Sequence, residues 1–292
     1  MIAKSLLTFL LLAACYMLLL PYSPPAVSGL TGGSQGDKNK IREEHLLYKD
    51  HDHEVVLVGS SITATLVDLP ESWYSLAMPG RSSITGLDVI CESNIAPCTI
   101  LIETNVLKSK RHSPDNFLNK QLKKTHSAFL TENKPAHAGL RLLAKLAGFK
   151  PGSQRVTTDL VLSKPDKITV SQKLFSRMLD RRKVFCSELM DVTELENRIN
   201  QIKTSVETLE ARGFQVLFIE VPECPQTLNS ARKTQIRDAF HSTFPIDKYD
   251  WYDDLENINY YASNDGIHLT ANSAKRFRLA LIEYIAGQKQ NP

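Results

Sequence analysis

The sequence has little of what marks a specialised chain. Only 5 of its 292 residues are cysteine and none stands in a Cys-x-x-Cys pair, which speaks against a structural zinc site. Glycine and proline are few, 13 and 14, and the formal net charge is only +3 with 42% hydrophobic residues. These values exclude a collagen-like, disordered or coiled-coil chain and leave a globular protein of ordinary composition. Long uncharged apolar runs are also absent, with one exception. Behind the cationic start Met1-Ile2-Ala3-Lys4, residues Ser5 to Leu20 form 16 positions without a charge.

A run of that length lies between a signal-peptide core and a full membrane helix. Residues 1–22 therefore read as a signal anchor or a signal peptide. Leu12-Ala13-Ala14-Cys15 also resembles a lipobox, which would make Cys15 a lipid attachment point, although Tyr16 to Leu20 continues the apolar helix. All three readings place the remaining chain outside the cytoplasm. Pro21 to Lys40 is rich in Pro, Gly and Ser and has no hydrophobic period. Residues 23–42 are accordingly expected as a flexible linker, and residues 43–292 as one domain.

Outside the cytoplasm disulfides persist. Cys91, Cys98, Cys186 and Cys224 are even in number, and the expected pairs are Cys91–Cys98, which closes a short loop, and Cys186–Cys224. Buried free thiols are the alternative.

Within the domain, short apolar runs alternate with helical periodicity. Val55–Val58 (VVLV), Thr99–Glu103 (TILIE) and Phe214–Val221 (FQVLFIEV) read as buried parallel strands, and Trp73–Ala77 (WYSLA) as a weaker one. Ser83–Ser93, Val192–Arg212 and Ala271–Ile285 read as helices, the second with Leu195, Ile199, Ile202, Val206 and Leu209 on one stripe before Gly213. Alternation of this kind predicts an α/β fold, a three-layer α/β/α sandwich with a mainly parallel sheet. In such sheets the site lies beyond the carboxyl ends of the strands.

Those ends carry Gly59-Ser60-Ser61-Ile62-Thr63, Met78-Pro79-Gly80-Arg81 and Thr104-Asn105, and Asn264-Asp265-Gly266-Ile267-His268-Leu269-Thr270 precedes the last helix. In order and context these four blocks resemble the SGNH (GDSL-type) hydrolase superfamily. The resemblance spans the domain from about Val55 onward, except for the stretch between Asn105 and Phe214. It implies a flavodoxin-like SGNH-hydrolase fold, Ser61 as nucleophile, Gly80 and Asn105 as oxyanion-hole donors, and Asp265 and His268 as the rest of a catalytic triad, with no metal or organic cofactor. Two positions depart from the family pattern. Ser60 stands where an Asp is usual, and the third block reads Glu103-Thr104-Asn105-Val106 in place of Gly-x-Asn-Asp.

The residue types suit the chemistry. A serine hydroxyl is a poor nucleophile near neutral pH, so an imidazole must take its proton as it attacks an acyl carbonyl. An Asp three residues before the His accepts the other ring N–H and fixes the tautomer. Taken singly, each block also has an ordinary reading, as a helix N-cap, a turn or a loop histidine. Their conjunction and order favour a site. Lys49-Asp50-His51-Asp52-His53 reads as a solvated loop rather than a metal site.

The stretch without a match has a signal of its own. Residues 106–183 hold 18 Lys and Arg against 5 Asp and Glu, while the rest of the chain sums to −10. This basic insertion suggests an acidic partner, anionic lipid head groups or an anionic envelope glycan, with a solvated helical insertion that only covers the sheet as the alternative. Nucleic acid is not expected for an exported chain. Two function classes follow. One is an esterase or O-acyltransferase acting on small ester-linked acyl groups, such as acetyl, of an envelope polysaccharide. It would be anchored in a bacterial inner membrane, face the periplasm or exterior, and work with a membrane acyl-donor protein. The other is a non-catalytic SGNH-like module that binds glycan.

Overall fold

The structure, a computed structural model, describes residues 2–19, 35–49, 52–107, 117–134 and 170–288. The chain divides into two compact units. One holds residues 1–50 and 113–154, the other residues 51–112 and 155–292.

The second unit contains the sheet. Its strands are β1 (Val55–Gly59), β2 (Trp73–Ala77), β3 (Thr99–Glu103), β4 (Gln215–Glu220) and β5 (Asp250–Asp253). They lie in the order β2-β1-β3-β4-β5, and every pair is parallel. The chain leaves β1 for β2 on one side and returns to β3 on the other, so the topological switch point lies between β1 and β3. The strands fall as their apolar runs predict. The added strand β5 reads Asp-Trp-Tyr-Asp, a polar edge without a hydrophobic run.

Pleating sends alternate residues to opposite layers. Val55 and Leu57 of β1, Leu101 of β3, and Leu217 and Ile219 of β4 face one core with Phe277 and Leu281 of the C-terminal helix, all at most 4% exposed. That helix spans Ala271–Gln288. Val58 faces the other layer, where the helix Ser83–Glu92 lies so close that a Cβ on Gly86 would meet Val58 at 2.9 Å. The helix Val192–Ala211 packs on Ser83–Glu92 and on Ala231–Thr243, completing that layer. Its buried stripe is the one read from the sequence, Leu195, Ile199, Ile202, Val206 and Leu209. The architecture is a three-layer α/β/α sandwich.

In chain order the helices are α1 (Ile2–Leu19), α2 (Gln35–Tyr48), α3 (Ser83–Glu92), α4 (Phe117–Thr125), α5 (Gln172–Ser187), α6 (Val192–Ala211), α7 (Pro225–Leu228), α8 (Ala231–Thr243) and α9 (Ala271–Gln288). The first unit carries α1, α2 and α4. Residues 35–42, expected in the linker, instead begin α2. Its Glu44, 2% exposed, binds Lys123 of α4 at 2.9 Å and accepts from the Thr131 hydroxyl at 2.8 Å. α1 leaves Leu6, Leu7, Phe9, Leu10, Leu11 and Leu12 exposed. At 18 residues it is about 27 Å long, short of the ~30 Å hydrocarbon core of a bilayer. Among the described residues no helix is long and apolar enough to cross a membrane, and the anchor reading rests on the sequence. Residues 20–34, most of the insertion between 135 and 169, and residues 108–116 lie outside the described residues.

The expected disulfides are not formed; all five cysteines are free thiols. Within each expected pair the sulfurs meet different surroundings. Cys91 Sγ on α3 points at the Ser205 carbonyl of α6 at 3.9 Å, while Cys98 precedes β3 beside His53 and Gly213. Cys186 lines the cavity next to Ser61, while the Cys224 thiol bonds Gln226 at the start of α7. Burial raises all four thiols above their ordinary value, Cys98 to about 11.

Candidate active site

β1 ends at Gly59, and the chain turns at once through Ser60, Ser61 and Ile62 into the single 3-10 turn Thr63–Thr65. This turn has no long helix to hold it. The buried carboxylate of Glu103, 0% exposed at the end of neighbouring β3, does so instead. Its Oε2 accepts from the Ser60 N–H at 2.7 Å, the Thr63 N–H at 3.3 Å and the Thr63 hydroxyl, and its Oε1 accepts from the Ser60 hydroxyl at 2.7 Å. A Cβ on Gly59 would stand 2.5 Å from Glu103 Oε2, so glycine is required there by the carboxylate's close approach.

Ser61 rides on this clamped turn. Its Oγ lies 2.8 Å from His268 Nε2, and His268 Nδ1 lies 2.7 Å from Asp265 Oδ2. The loop that presents Asp265 and His268 is tied internally, with Asp265 Oδ1 accepting the N–H groups of Ile267 at 3.1 Å and His268 at 2.8 Å. Gly266 at φ +96° makes the sharp turn between them, a conformation that favours glycine. Burial works to raise the Asp265 carboxyl, yet the bonds from the His268 ring and backbone and from Ile267 outweigh it and hold the group well below the usual carboxylate range. The ring nitrogen facing Asp265 is thereby the protonated one, which leaves Nε2 as acceptor toward Ser61.

Met78-Pro79-Gly80-Arg81 forms a type II turn, with the Arg81 N–H on the Met78 carbonyl at 2.9 Å and Gly80 at φ +81°. Among the described residues neither the Ser61 nor the Gly80 N–H has a protein acceptor. Both residues line a cavity of about 150 Å³ that His268 also borders. A larger cavity, about 600 Å³, sits at the opposite, N-terminal ends of the strands and contains none of these groups.

Asn105 departs from its expected place. Its Oδ1 accepts the Val221 N–H at 2.8 Å, and its Nδ2 donates to the Val221 carbonyl at 2.8 Å and to Glu223 Oε1 at 2.9 Å. Both amide hydrogens are spent, and Val221 fixes the orientation because its N–H must meet the oxygen. Asn105 is 3% exposed and clamps the exit of β4 instead of aiming a donor at the cavity.

Three further groups reach the site that the sequence reading did not single out. Arg182 of α5 donates to Asp265 Oδ2 at 3.1 Å, on the same oxygen that His268 uses. Lys233 of α8 donates to the Asn105 carbonyl at 2.7 Å and to Glu223 Oε1 at 2.5 Å, and its side chain borders the cavity. Glu223 is 1% exposed, and among the described residues its Oε2 is buried without a hydrogen-bond partner. Burial raises its carboxyl, only partly offset by Lys233 and Asn105. Among the described residues no group of three or more His, Cys, Asp or Glu could hold a metal ion. His53 of the Lys49–His53 motif stacks on Tyr74.

No protein-family model matches the chain, and no curated protein matches it. A solved structure from Bacteroides fragilis, provisionally described as an acylhydrolase, is similar at 11% identity and a TM-score of 0.42, over 85% of this chain and 94% of that one.

Proposed function

We propose that this protein is an SGNH-type serine esterase or O-acyltransferase that forms an acyl-serine intermediate at Ser61. The observation that carries this reading is the relay of two bonds, Ser61 Oγ to His268 Nε2 at 2.8 Å and His268 Nδ1 to Asp265 Oδ2 at 2.7 Å. As Ser61 Oγ attacks the ester carbonyl, its proton passes to His268 Nε2. Asp265, kept ionised, stabilises the imidazolium that results. The oxyanion forms beside the N–H groups of Ser61 and Gly80, which among the described residues have no protein acceptor. Collapse expels the alcohol, which takes its proton from His268 and leaves the acyl group on Ser61. Water or a sugar hydroxyl then attacks the acyl group and gives its proton to His268, which returns it to Ser61 Oγ as that oxygen leaves, so the same machinery serves hydrolysis and transfer.

The cavity of about 150 Å³ is small beside the ~300–1,000 Å³ of drug-sized ligand sites, which supports a short acyl group such as acetyl. The apolar α1 and the basic insertion support a membrane-anchored enzyme that modifies an envelope polysaccharide with acyl groups from a membrane donor protein.

The test is intact-mass analysis of the full chain in detergent after exposure to a neutral fluorophosphonate, beside Ser61→Ala. A single adduct is expected, absent from the variant, with labelling slowed on the order of 10³-fold or more in His268→Ala. No adduct on a folded chain would overturn this reading in favour of the glycan-binding module.

A further inference from the structure

The cavity beside Ser61 has a one-sided charge. Of its twelve lining residues three are cationic, Arg81, Arg182 and Lys233, and none is acidic. The two carboxylates that balance part of this charge stand behind the lining, Asp265 on Arg182 and Glu223 on Lys233.

Lys233 is the more telling of the cations. An ammonium has three N–H donors. Two are taken by the Asn105 carbonyl and Glu223 Oε1, and among the described residues the third has no protein acceptor. The residue is only 8% exposed and lines the cavity. A buried donor left without a partner costs free energy that a ligand oxygen would offset. Arg182 is more open, its side chain 38% exposed, and its bond to Asp265 uses one of its five N–H donors, so it adds charge at the mouth of the cavity.

We propose that this cavity is a subsite for an anionic group of the substrate, a carboxylate or a phosphate near the acylated hydroxyl, held by Lys233 and Arg182 with Arg81 adding to the positive field. This deepens the esterase reading and rests on it for the word substrate, but the binding is testable without turnover.

The experiment is calorimetric titration of the full chain in detergent with three probes, glucose, glucuronate and glucose 6-phosphate. The two anions are expected to bind at least about tenfold more tightly than glucose, one charged hydrogen bond being worth about that factor, and to weaken as salt is added. Glucuronate ahead of glucose 6-phosphate marks a carboxylate subsite, and the reverse order a phosphate subsite. Removing Lys233 alone strands Glu223, so the variant is Lys233→Met with Glu223→Gln, and Arg81→Gln is the second. Each is expected to lower anion affinity about tenfold while leaving glucose binding unchanged. Equal binding of glucose and the anions, or anion affinity untouched in both folded variants, overturns the subsite. Anion binding without fluorophosphonate labelling keeps the subsite and overturns the enzyme instead.

Discussion

Two buried glutamates close the ends of neighbouring strands, and their surroundings differ in one respect. Glu103, on β3, has both oxygens filled by four donors from the turn that carries Ser61. Glu223, just past β4, has one oxygen shared by Lys233 and Asn105 and the other without a partner. A carboxylate whose acceptor sites are met from within the protein serves as a fixed clamp. One that is half met, with its cation bordering a cavity, leaves capacity for something that is not in the chain. The first glutamate positions the turn that carries Ser61, and the second holds a positive charge beside it.

The bonds at Glu103 also join the two positions at which the sequence differs from the SGNH pattern that its four blocks resemble. Ser60 stands where the SGNH pattern has an Asp, and Glu103 where that pattern has a Gly. Ser60 donates twice to Glu103, so one departure supplies the carboxylate that the other lacks. Glu103→Ala should have the largest effect of any variant on this side. It strands the buried N–H groups of Ser60 and Thr63, at a cost of about 4 kcal/mol in thermal or denaturant unfolding, and should abolish labelling at Ser61. The sharper variant is the exchange, Ser60→Asp with Glu103→Gly, which returns a carboxylate to the same turn from the other side. It should label at least about tenfold faster than Glu103→Gly alone. Equal rates would mean that the two positions are independent.

On the other side, Asn105→Ala separates a clamp from a catalytic donor. Loss of a true oxyanion donor costs about 10²–10³ in rate. Since both amide hydrogens of Asn105 are spent on Val221 and Glu223, the folded variant should lose less than about tenfold in labelling rate. The damage should appear in unfolding instead, at about 2 kcal/mol, because Val221 loses partners for its N–H and its carbonyl. A rate loss of about 10² or more in folded protein would return Asn105 to the oxyanion hole.

What was legible in the sequence follows the range of the interactions. β1, β3 and β4 were readable because strands buried on both faces need unbroken apolar runs, and α6 because its stripe is regular. β5 has no such run, since this edge strand is exposed at both ends with only Trp251 and Tyr252 half-buried between them. α2 was read partly as linker because the side it buries is polar, with Asn39, Glu43 and Glu44 beside Leu46. The Asp265 and His268 pair was readable because three residues separate them on one loop. Arg182 meets Asp265 from 83 residues away, Asn105 meets Glu223 from 118, and Lys233 meets the Asn105 carbonyl from 128. No local spacing encodes those meetings, and only the fold brings them together.

Glu223→Gln should have the smallest effect, and its pH dependence carries the information. Burial raises the folded-state pKa of Glu223 above its ordinary 4.5, so over the window upward from there the native chain binds more proton than the unfolded one. Stability must then fall as pH rises through that window, by at most about 1.4 kcal/mol per pH unit for one proton. Asp265 has the opposite sign, because its lowered pKa contributes stability that is lost only as pH drops below its ordinary 3.8. Glutamine keeps an oxygen for Lys233 and Asn105 and removes the titration. The unfolding free energy of the wild type relative to Glu223→Gln should therefore decline with pH across the window, measured by denaturant unfolding at several pH values. A difference that instead grows with pH would mean that attraction to Lys233 outweighs burial. Glu223 would then be a satisfied clamp of the same kind as Glu103, and the contrast between the two strand ends would disappear.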